Sequence, residues 1–371
     1  MKRIIRYIVL LGMISLFTLF YIFPSLAFYQ KPQSKKGLLV SGQNMFQDVL
    51  DLGVDQVIYN LATWQDLDSF LPFAKKCKEY EITLTMILIN GEGAKDSNLL
   101  PVKELRRDVA TYAFNSMTEQ GESAVRYYAR NVVKCYGRYV SNWVIGNEVN
   151  DAATWDYNGI SNIDQHADSY AKTFRIFYDE IKRYNPEARV FIPFDMRWKA
   201  QDKSERYTVS EYLPKLNERL WDTEYGIAWH PLPVHYFDKP EFMDDDGITF
   251  DINTTPNINM KNLNLLTDYM QQKDMLDSNG NVRHLILSEQ GFTSACENGE
   301  ERQAEAIKLA YEIAKANPYV DGFYLMRQVD AAGQEAAGGA FGLWKRDHNA
   351  SGDEIPLSKK LAWYTYQSLD E

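Results

Sequence analysis

The chain has 371 residues, 45% of them hydrophobic, and carries a formal net charge of −11 at neutral pH. Such a length and apolar content allow a large buried core, either in one big barrel or in two ordinary domains. The acidic balance, with no basic block in the body of the chain, argues against nucleic acid as a partner because phosphates call for a basic face.

The first 28 residues have the pattern of an export signal. Three basic residues among the first six precede an apolar stretch, residues 7–28, an arrangement that keeps the basic end in the cytoplasm. Ser25–Ala27 forms a small-x-small cleavage site, yet the stretch of roughly 20 residues is also long enough to span a bilayer. We predict a signal peptide or, in preference, an uncleaved membrane anchor over residues 1–28, a polar linker over residues 29–36, and an extracellular or cell-surface location.

The remainder, residues 37–371, alternates between strand-like and helix-like patterns. Short apolar runs bounded by turn residues predict strands, and apolar residues at helical spacing predict the helices between them. The predicted strands cover 37–41, 56–59, 82–89, 142–148, 189–195, 225–230, 285–289 and 320–326. The predicted helices lie near 45–50, 70–77, 125–136, 164–184, 210–221, 262–276, 301–316 and 357–369.

Eight strands alternating with eight helices favour a (β/α)8 barrel of the α/β class. An open doubly wound sheet is disfavoured because no Gly-x-Gly-x-x-Gly loop follows the first strand. We therefore predict one TIM-barrel domain over residues 37–371, with long loops at the C-terminal face of its strands.

Two of the predicted strands end in a glutamate. The fourth ends in Gly146-Asn147-Glu148, and the seventh ends in Ser288-Glu289 and is followed by Gln290-Gly291. In such barrels the C-terminal strand ends form the active-site face, and strands four and seven lie across its mouth. Two facing carboxylates are what glycosidic-bond hydrolysis needs. A separation of roughly 5–5.5 Å gives retention and roughly 6.5–9.5 Å gives inversion, and the residues leave both outcomes open.

Several nearby side chains are candidates for binding a sugar. Asn147 can hydrogen-bond a hydroxyl beside the scissile bond, and burial beside a second carboxylate should raise the pKa of Glu148. His235, Tyr236 and Arg197 are candidate donors to Glu289, although Arg197 also suits a structural ion pair. Trp198, Trp229, Trp344 and His230 lie near strand ends and fit either sugar contact or core packing. His166, on a helix, is predicted at the surface.

These motifs resemble those of the clan A glycoside hydrolases and, within them, a family without an assigned function. The resemblance rests on Asn147-Glu148 after strand four and Ser288-Glu289-Gln290-Gly291 after strand seven. It implies a (β/α)8 barrel and a retaining double displacement without cofactor or metal, with Glu148 as acid/base and Glu289 as nucleophile. His235-Tyr236 is similar to the histidine or tyrosine that such enzymes place near the nucleophile.

The chain departs from the clan pattern at two places. The second strand carries no arginine, and the eighth ends without the tryptophan found in many members, for which Trp344 is a candidate replacement. The sequence thus predicts an exported, membrane-tethered retaining glycosidase acting on a polysaccharide or oligosaccharide. A non-catalytic carbohydrate-binding barrel and a transglycosylase using the same carboxylates remain as alternatives.

Overall fold

A computed structural model describes residues 32–370. The predicted signal or anchor, residues 1–28, and the first part of the linker lie outside the described residues. Lys36, the last residue of the predicted linker, begins the first strand. Within residues 32–370, no helix is both long and apolar enough to cross a bilayer.

Eight parallel strands close into a barrel in which each strand pairs with the next along the chain and the eighth pairs with the first. Every predicted strand is present, and the prediction of a (β/α)8 barrel is confirmed. The strands are β1 (Lys36–Leu39), β2 (Gln56–Ala62), β3 (Thr83–Ile89), β4 (Val140–Ile145), β5 (Arg189–Phe194), β6 (Tyr225–Trp229), β7 (Leu285–Gln290) and β8 (Val320–Leu325).

Helices surround the barrel and bury its outward-facing strand residues. They are α1 (Phe46–Asp51), α2 (Leu71–Glu79), α3 (Glu119–Tyr136), α4 (Ile163–Tyr184), α5 (Val209–Leu220), α6 (Asn264–Met270), α7 (Gly299–Ala316), α8 (Ala332–Ala336) and α9 (Leu361–Ser368). The long neighbouring helices α3 and α4 each begin at a residue whose side chain caps the helix. Thr118 accepts the Gly121 N–H at 3.1 Å before α3, and Asn162 accepts the Gln165 N–H at 3.0 Å before α4.

The barrel interior is filled by side chains, so a substrate can reach it only at the open ends of the strands. Each of the eight strands contributes one residue to a buried apolar cluster inside the barrel: Leu39, Ile58, Ile87, Val144, Phe191, Ala228, Ile286 and Tyr324. The Tyr324 hydroxyl also lies 2.7 Å from Thr85 Oγ1 and donates to Gln56 Oε1 at 2.9 Å. This packed interior places any site at one face of the barrel.

Two predicted helices are corrected by the structure. The helix expected over 262–276 is limited to α6 and flanking 3-10 turns. The helix expected over 357–369 begins only at Leu361, because Pro356–Lys359 forms a strand, β10, antiparallel to β9 (Trp344–Arg346). Proline is tolerated at the start of such a strand because the strand has a free edge there.

Candidate active site

Glu148 is presented by a tight turn at the end of β4. The turn needs left-handed backbone at two residues, Gly146 with φ of 86° and Glu148 with φ of 40°. For a residue other than glycine this conformation costs of order 1–3 kcal/mol and persists only where its surroundings fix it. Here the neighbouring strands do so: Gly146 N–H donates to Leu88 O and Val149 N–H to Pro193 O, both at 3.0 Å.

Glu289 is turned toward the barrel mouth by a bulge in β7. Leu287 packs among the surrounding helices, so strict alternation would also turn Glu289 outward. The pairing with β8 shifts at this point: Leu287 is opposite Phe323, but Gln290 is opposite Leu325, which leaves one extra residue on β7. A bulge reverses the sides of the residues that follow. Gln290 therefore takes the outward position, and the partly exposed Glu289 faces the mouth.

His230 interacts with both glutamates. It follows β6 directly, is fully buried, and places Nδ1 3.0 Å from Glu148 Oε1. Burial alone would lower the pKa of His230, but the charges of Glu289 and Glu148, with a contribution from Asp195, raise it above the usual histidine value. The structure thus brings together Glu148, Glu289 and His230, three of the predicted site residues.

The Glu148 carboxyl is set up to hold a proton near neutral pH. Burial raises the pKa of Glu148 to about 7, the charges of Asp195 and Glu289 act in the same direction, and the contact with His230 opposes them. A carboxyl group with such a pKa can donate a proton as a general acid at neutral pH. Asn147, its predicted neighbour in sugar binding, is buried in the same turn.

Glu148 also belongs to a buried acidic cluster with Asp151 and Asp195, whose carboxylate oxygens lie within 4.8 Å of one another. Two arginines neutralise this cluster. Arg206 Nε donates to Asp151 at 2.7 Å, and Arg197 forms an ion pair with Asp195. A metal ion would have to compete with both guanidinium groups, so the arrangement fits an ion-pair network better than a metal site. Arg197 thus forms the structural ion pair that was one of its two predicted roles, with Asp195 as the partner.

Tyr236 lies beside both glutamates. Burial, followed by the charges of Glu148 and Glu289, raises the pKa of Tyr236 to about 12. Its ring packs with Phe237, at a centroid distance of 4.3 Å, and with Phe341, at 6.0 Å. Neither phenylalanine was predicted as a site residue. They come from loops after β6 and β8 that meet over the mouth, and no local spacing indicates that meeting.

The predicted tryptophan platforms are corrected by the structure. Trp229 and Trp198 are 0% and 2% exposed, and their indole N–H groups donate to Ile258 O at 3.0 Å and Ile252 O at 2.9 Å. These rings belong to the core and cannot stack on a sugar. Trp344 donates to Asp48 of α1 at 3.1 Å, in the outer layer, and so does not replace a tryptophan after β8.

His235 also differs in position from its predicted role. Its side chain is 47% exposed and pairs at 3.9 Å with Asp238, three residues along the chain. Tyr236, which was also predicted as a donor to Glu289, does feel the charge of that glutamate, and so does His230.

Several solved structures with a similar fold are glycoside hydrolases. A family 39 glycoside hydrolase from the gut symbiont Bacteroides cellulosilyticus WH2 aligns with a TM-score of 0.60 and 13% identity, over 92% of this chain and 64% of that one. A β-glucosidase from Thermotoga maritima aligns with a TM-score of 0.57 and 11% identity, over 87% of this chain and 84% of that one. A GH2 β-galacturonidase from Eisenbergiella tayi aligns with a TM-score of 0.54 and 13% identity, over 90% of this chain and 50% of that one.

The resemblance to clan A glycoside hydrolases is thereby confirmed at the level of the fold, and the chain spans less than two thirds of the family 39 enzyme. No curated protein matches the sequence significantly. The profile of one family matches residues 63–371, which is well over half of the chain. The chain therefore belongs to the family of unknown function DUF5722.

Proposed function

We propose that this protein is a retaining glycoside hydrolase in which Glu289 is the nucleophile and Glu148 the acid/base. The observation that carries the proposal is the pair of glutamates at the ends of β4 and β7, one of them with a pKa raised to about 7 and both acting on His230. Environments that separate the protonation of two carboxyl groups are typical of glycosidases, in which one group attacks while the other donates a proton.

The reaction would proceed in two displacements. Glu289 attacks the anomeric carbon, the bond from that carbon to the leaving oxygen breaks, and Glu148 gives its proton to that oxygen. Glu148, now ionised, then takes a proton from water, and the resulting hydroxide attacks the anomeric carbon and releases Glu289. The two steps return both carboxyl groups to their starting states and retain the configuration of the sugar.

Two neighbouring side chains support these steps. His230 holds Glu148 through the 3.0 Å contact to Oε1 and faces the charge of Glu289. Tyr236, whose pKa is about 12, keeps its phenolic proton at neutral pH and can donate it to an ionised carboxylate in the mouth. Asn147 supplies an amide beside Glu148 for a sugar hydroxyl.

We further propose that the substrate is a polysaccharide or oligosaccharide outside the cell. The N-terminal pattern of basic residues followed by an apolar stretch, residues 7–28, supports export and attachment to the membrane. No cofactor enters the proposed reaction, because the two carboxyl groups supply both the nucleophile and the proton.

The test is to replace Glu289 by alanine and assay a panel of 4-nitrophenyl glycosides and soluble glycans. We expect hydrolysis to fall by at least about a thousandfold. Azide should restore turnover of the 4-nitrophenyl glycoside and yield a glycosyl azide of inverted configuration, because azide attacks from the face that Glu289 occupied. The exposed Glu301→Gln variant on α7 is the matched control. Undiminished hydrolysis by the Glu289→Ala variant, or glycan binding without any product by the intact chain, would contradict the proposal.

A further inference from the structure

Trp64 is an exposed tryptophan on the same face of the barrel as the two glutamates. β2 ends at Ala62, and Trp64 follows two residues later, at the C-terminal end of the strand. Its side chain and backbone together are 42% exposed, whereas Trp143, Trp198 and Trp229 are at most 2% exposed. Single exposed apolar residues are common on protein surfaces, so exposure alone assigns no role to Trp64.

The indole of Trp64 is held in place by the loop after β3. A Cβ atom added at Gly91 would lie 2.7 Å from Cζ3 of the ring, so part of the indole rests directly on glycine backbone. The loop itself is fixed by Asn90, which accepts from Thr63 Oγ1 at 3.1 Å and donates to Leu99 O and Ala113 O at 2.9 Å. An exposed ring that is already ordered loses little conformational entropy when a ligand packs against it.

Asn60 is a second unusual residue at the end of β2. It is opposite Ile87 of β3, which belongs to the apolar cluster inside the barrel, so Asn60 faces the interior two residues beyond Ile58. Its Oδ1 is buried and accepts no hydrogen bond from the described residues. A buried acceptor without a partner is costly in a folded protein and calls for an explanation.

We propose that the C-terminal end of β2 is a further sugar-binding subsite, in which Trp64 stacks on a sugar ring and Asn60 accepts a hydrogen bond from a sugar hydroxyl. Ligand sites combine aromatic surface with a few well-placed polar groups, and the end of β2 with the loop that follows it provides both in five residues. The inference rests on the proposed function. It adds that the substrate is a chain of sugars extending from the two glutamates toward β2, rather than a single glycoside.

The first test distinguishes an effect on the binding of long substrates from an effect on the catalytic step. With the 4-nitrophenyl glycoside and the oligosaccharides of the same sugar, we expect Trp64→Ala to raise KM for the longest oligosaccharide about fivefold, with kcat little changed. Hydrolysis of the 4-nitrophenyl glycoside should stay within about twofold of wild type, because it does not reach the subsite. Gly91→Ala should give a similar KM effect, since the added methyl group displaces the ring.

The chain offers a matched control in Trp221, which is 65% exposed and follows α5, at the opposite end of the barrel. Trp221→Ala should leave KM unchanged for every chain length. Equal effects of the two tryptophan variants, or a loss by Trp64→Ala that does not depend on chain length, would overturn the subsite. Thermal unfolding of each variant shows whether a lost effect comes from misfolding instead.

A second test does not need turnover. Native gels, each containing mixed-linkage glucan, xylan, galactan or polygalacturonate, should retard the Glu289→Gln variant in at least one case, and adding Trp64→Ala should abolish that retardation. Retardation that survives Trp64→Ala, or no retardation in any gel, would overturn the subsite. If the protein hydrolyses none of the substrates but Trp64→Ala still abolishes the retardation, the proposed hydrolase activity is refuted and the sugar-binding subsite is supported.

Discussion

At the scale of single residues, the candidate site is organised around His230. The imidazole is completely buried, contacts Glu148 at 3.0 Å, and has an Nε2 atom without a partner among the described residues. Burial opposes a charged imidazole, and only the surrounding carboxylates reverse that preference. His230 and Glu148 therefore titrate together, and removing one must change the protonation of the other.

This coupling predicts the pH profile of a His230→Ala variant. His230 lowers the pKa of Glu148, so its removal should raise that pKa further. The acid form of Glu148 would then persist to higher pH, and the alkaline limb of kcat/KM should move up by about one pH unit, with kcat reduced roughly 100-fold. The measurement is kcat/KM for a 4-nitrophenyl glycoside between pH 4 and 10.

Two further variants separate positioning from general damage. His230→Asn keeps a hydrogen-bond donor near Glu148 and should show a smaller shift of the alkaline limb. His235→Asn, at an exposed position, should show none. An alkaline limb that stays in place in His230→Ala would mean that the imidazole does not act on Glu148.

At the scale of elements, the loops after β7 and β8 are joined by one lysine. Lys360, which precedes α9, donates to Asp330 after β8 at 2.8 Å and to Ser294 after β7 at 2.9 Å. The side chains of Lys360 and Asp330 are 2% and 4% exposed. Asp330 also accepts the Gly342 N–H at 2.7 Å, beside the Phe341 that packs on Tyr236. The buried pair thus fixes the loop that carries Phe341, one of the aromatic residues of the site.

Replacing Lys360 by methionine should therefore be strongly destabilising. The variant keeps most of the side-chain volume but leaves Asp330 buried without its cation, which typically costs about 3–5 kcal/mol. Urea unfolding at pH 7 measures the change. Lys215→Met, which breaks the more exposed pair with Asp164, is the matched control and should cost less than about 1 kcal/mol. Similar losses in the two variants would show that burial of the Lys360 pair has no special effect.

At the scale of the whole molecule, the barrel and the two glutamates could be predicted because both depend on short stretches of chain. Apolar runs ending in Glu148 and Glu289 indicate strand ends, and the strand count places them across one mouth. The orientation of particular side chains could not be predicted, because it depends on register and on distant packing. The bulge in β7 can be recognised only from its pairing with β8. Likewise, the burial of Trp229 depends on the loop that contains Ile258, which is distant in the sequence.

His166 shows the same limit and leads to a prediction about stability. It was expected at the surface, but it is 0% exposed, with Nδ1 2.7 Å from the Tyr212 hydroxyl and Nε2 3.1 Å from Asp156 O. Burial lowers the pKa of His166 to about 4, against the opposing effect of the Asp156 carbonyl. The neutral imidazole therefore forms hydrogen bonds here, and burial also raises the pKa of the Asp156 carboxyl, which lies 3.5 Å from Nε2.

The lowered pKa predicts that His166 destabilises the protein as the pH falls. Below the unfolded-state pKa of about 6.5 the unfolded chain binds a proton that the folded chain does not, so the free energy of unfolding decreases until the folded pKa of about 4 is reached. The total loss is about 3 kcal/mol. A His166→Gln variant lacks this term, so its stability relative to wild type should rise by that amount between pH 7 and pH 4. Comparing the two proteins by urea unfolding cancels the buried groups that do not contact His166; Asp156 does contact it, and its raised pKa acts in the opposite direction. A difference that stays constant with pH would contradict the neutral, buried state of His166.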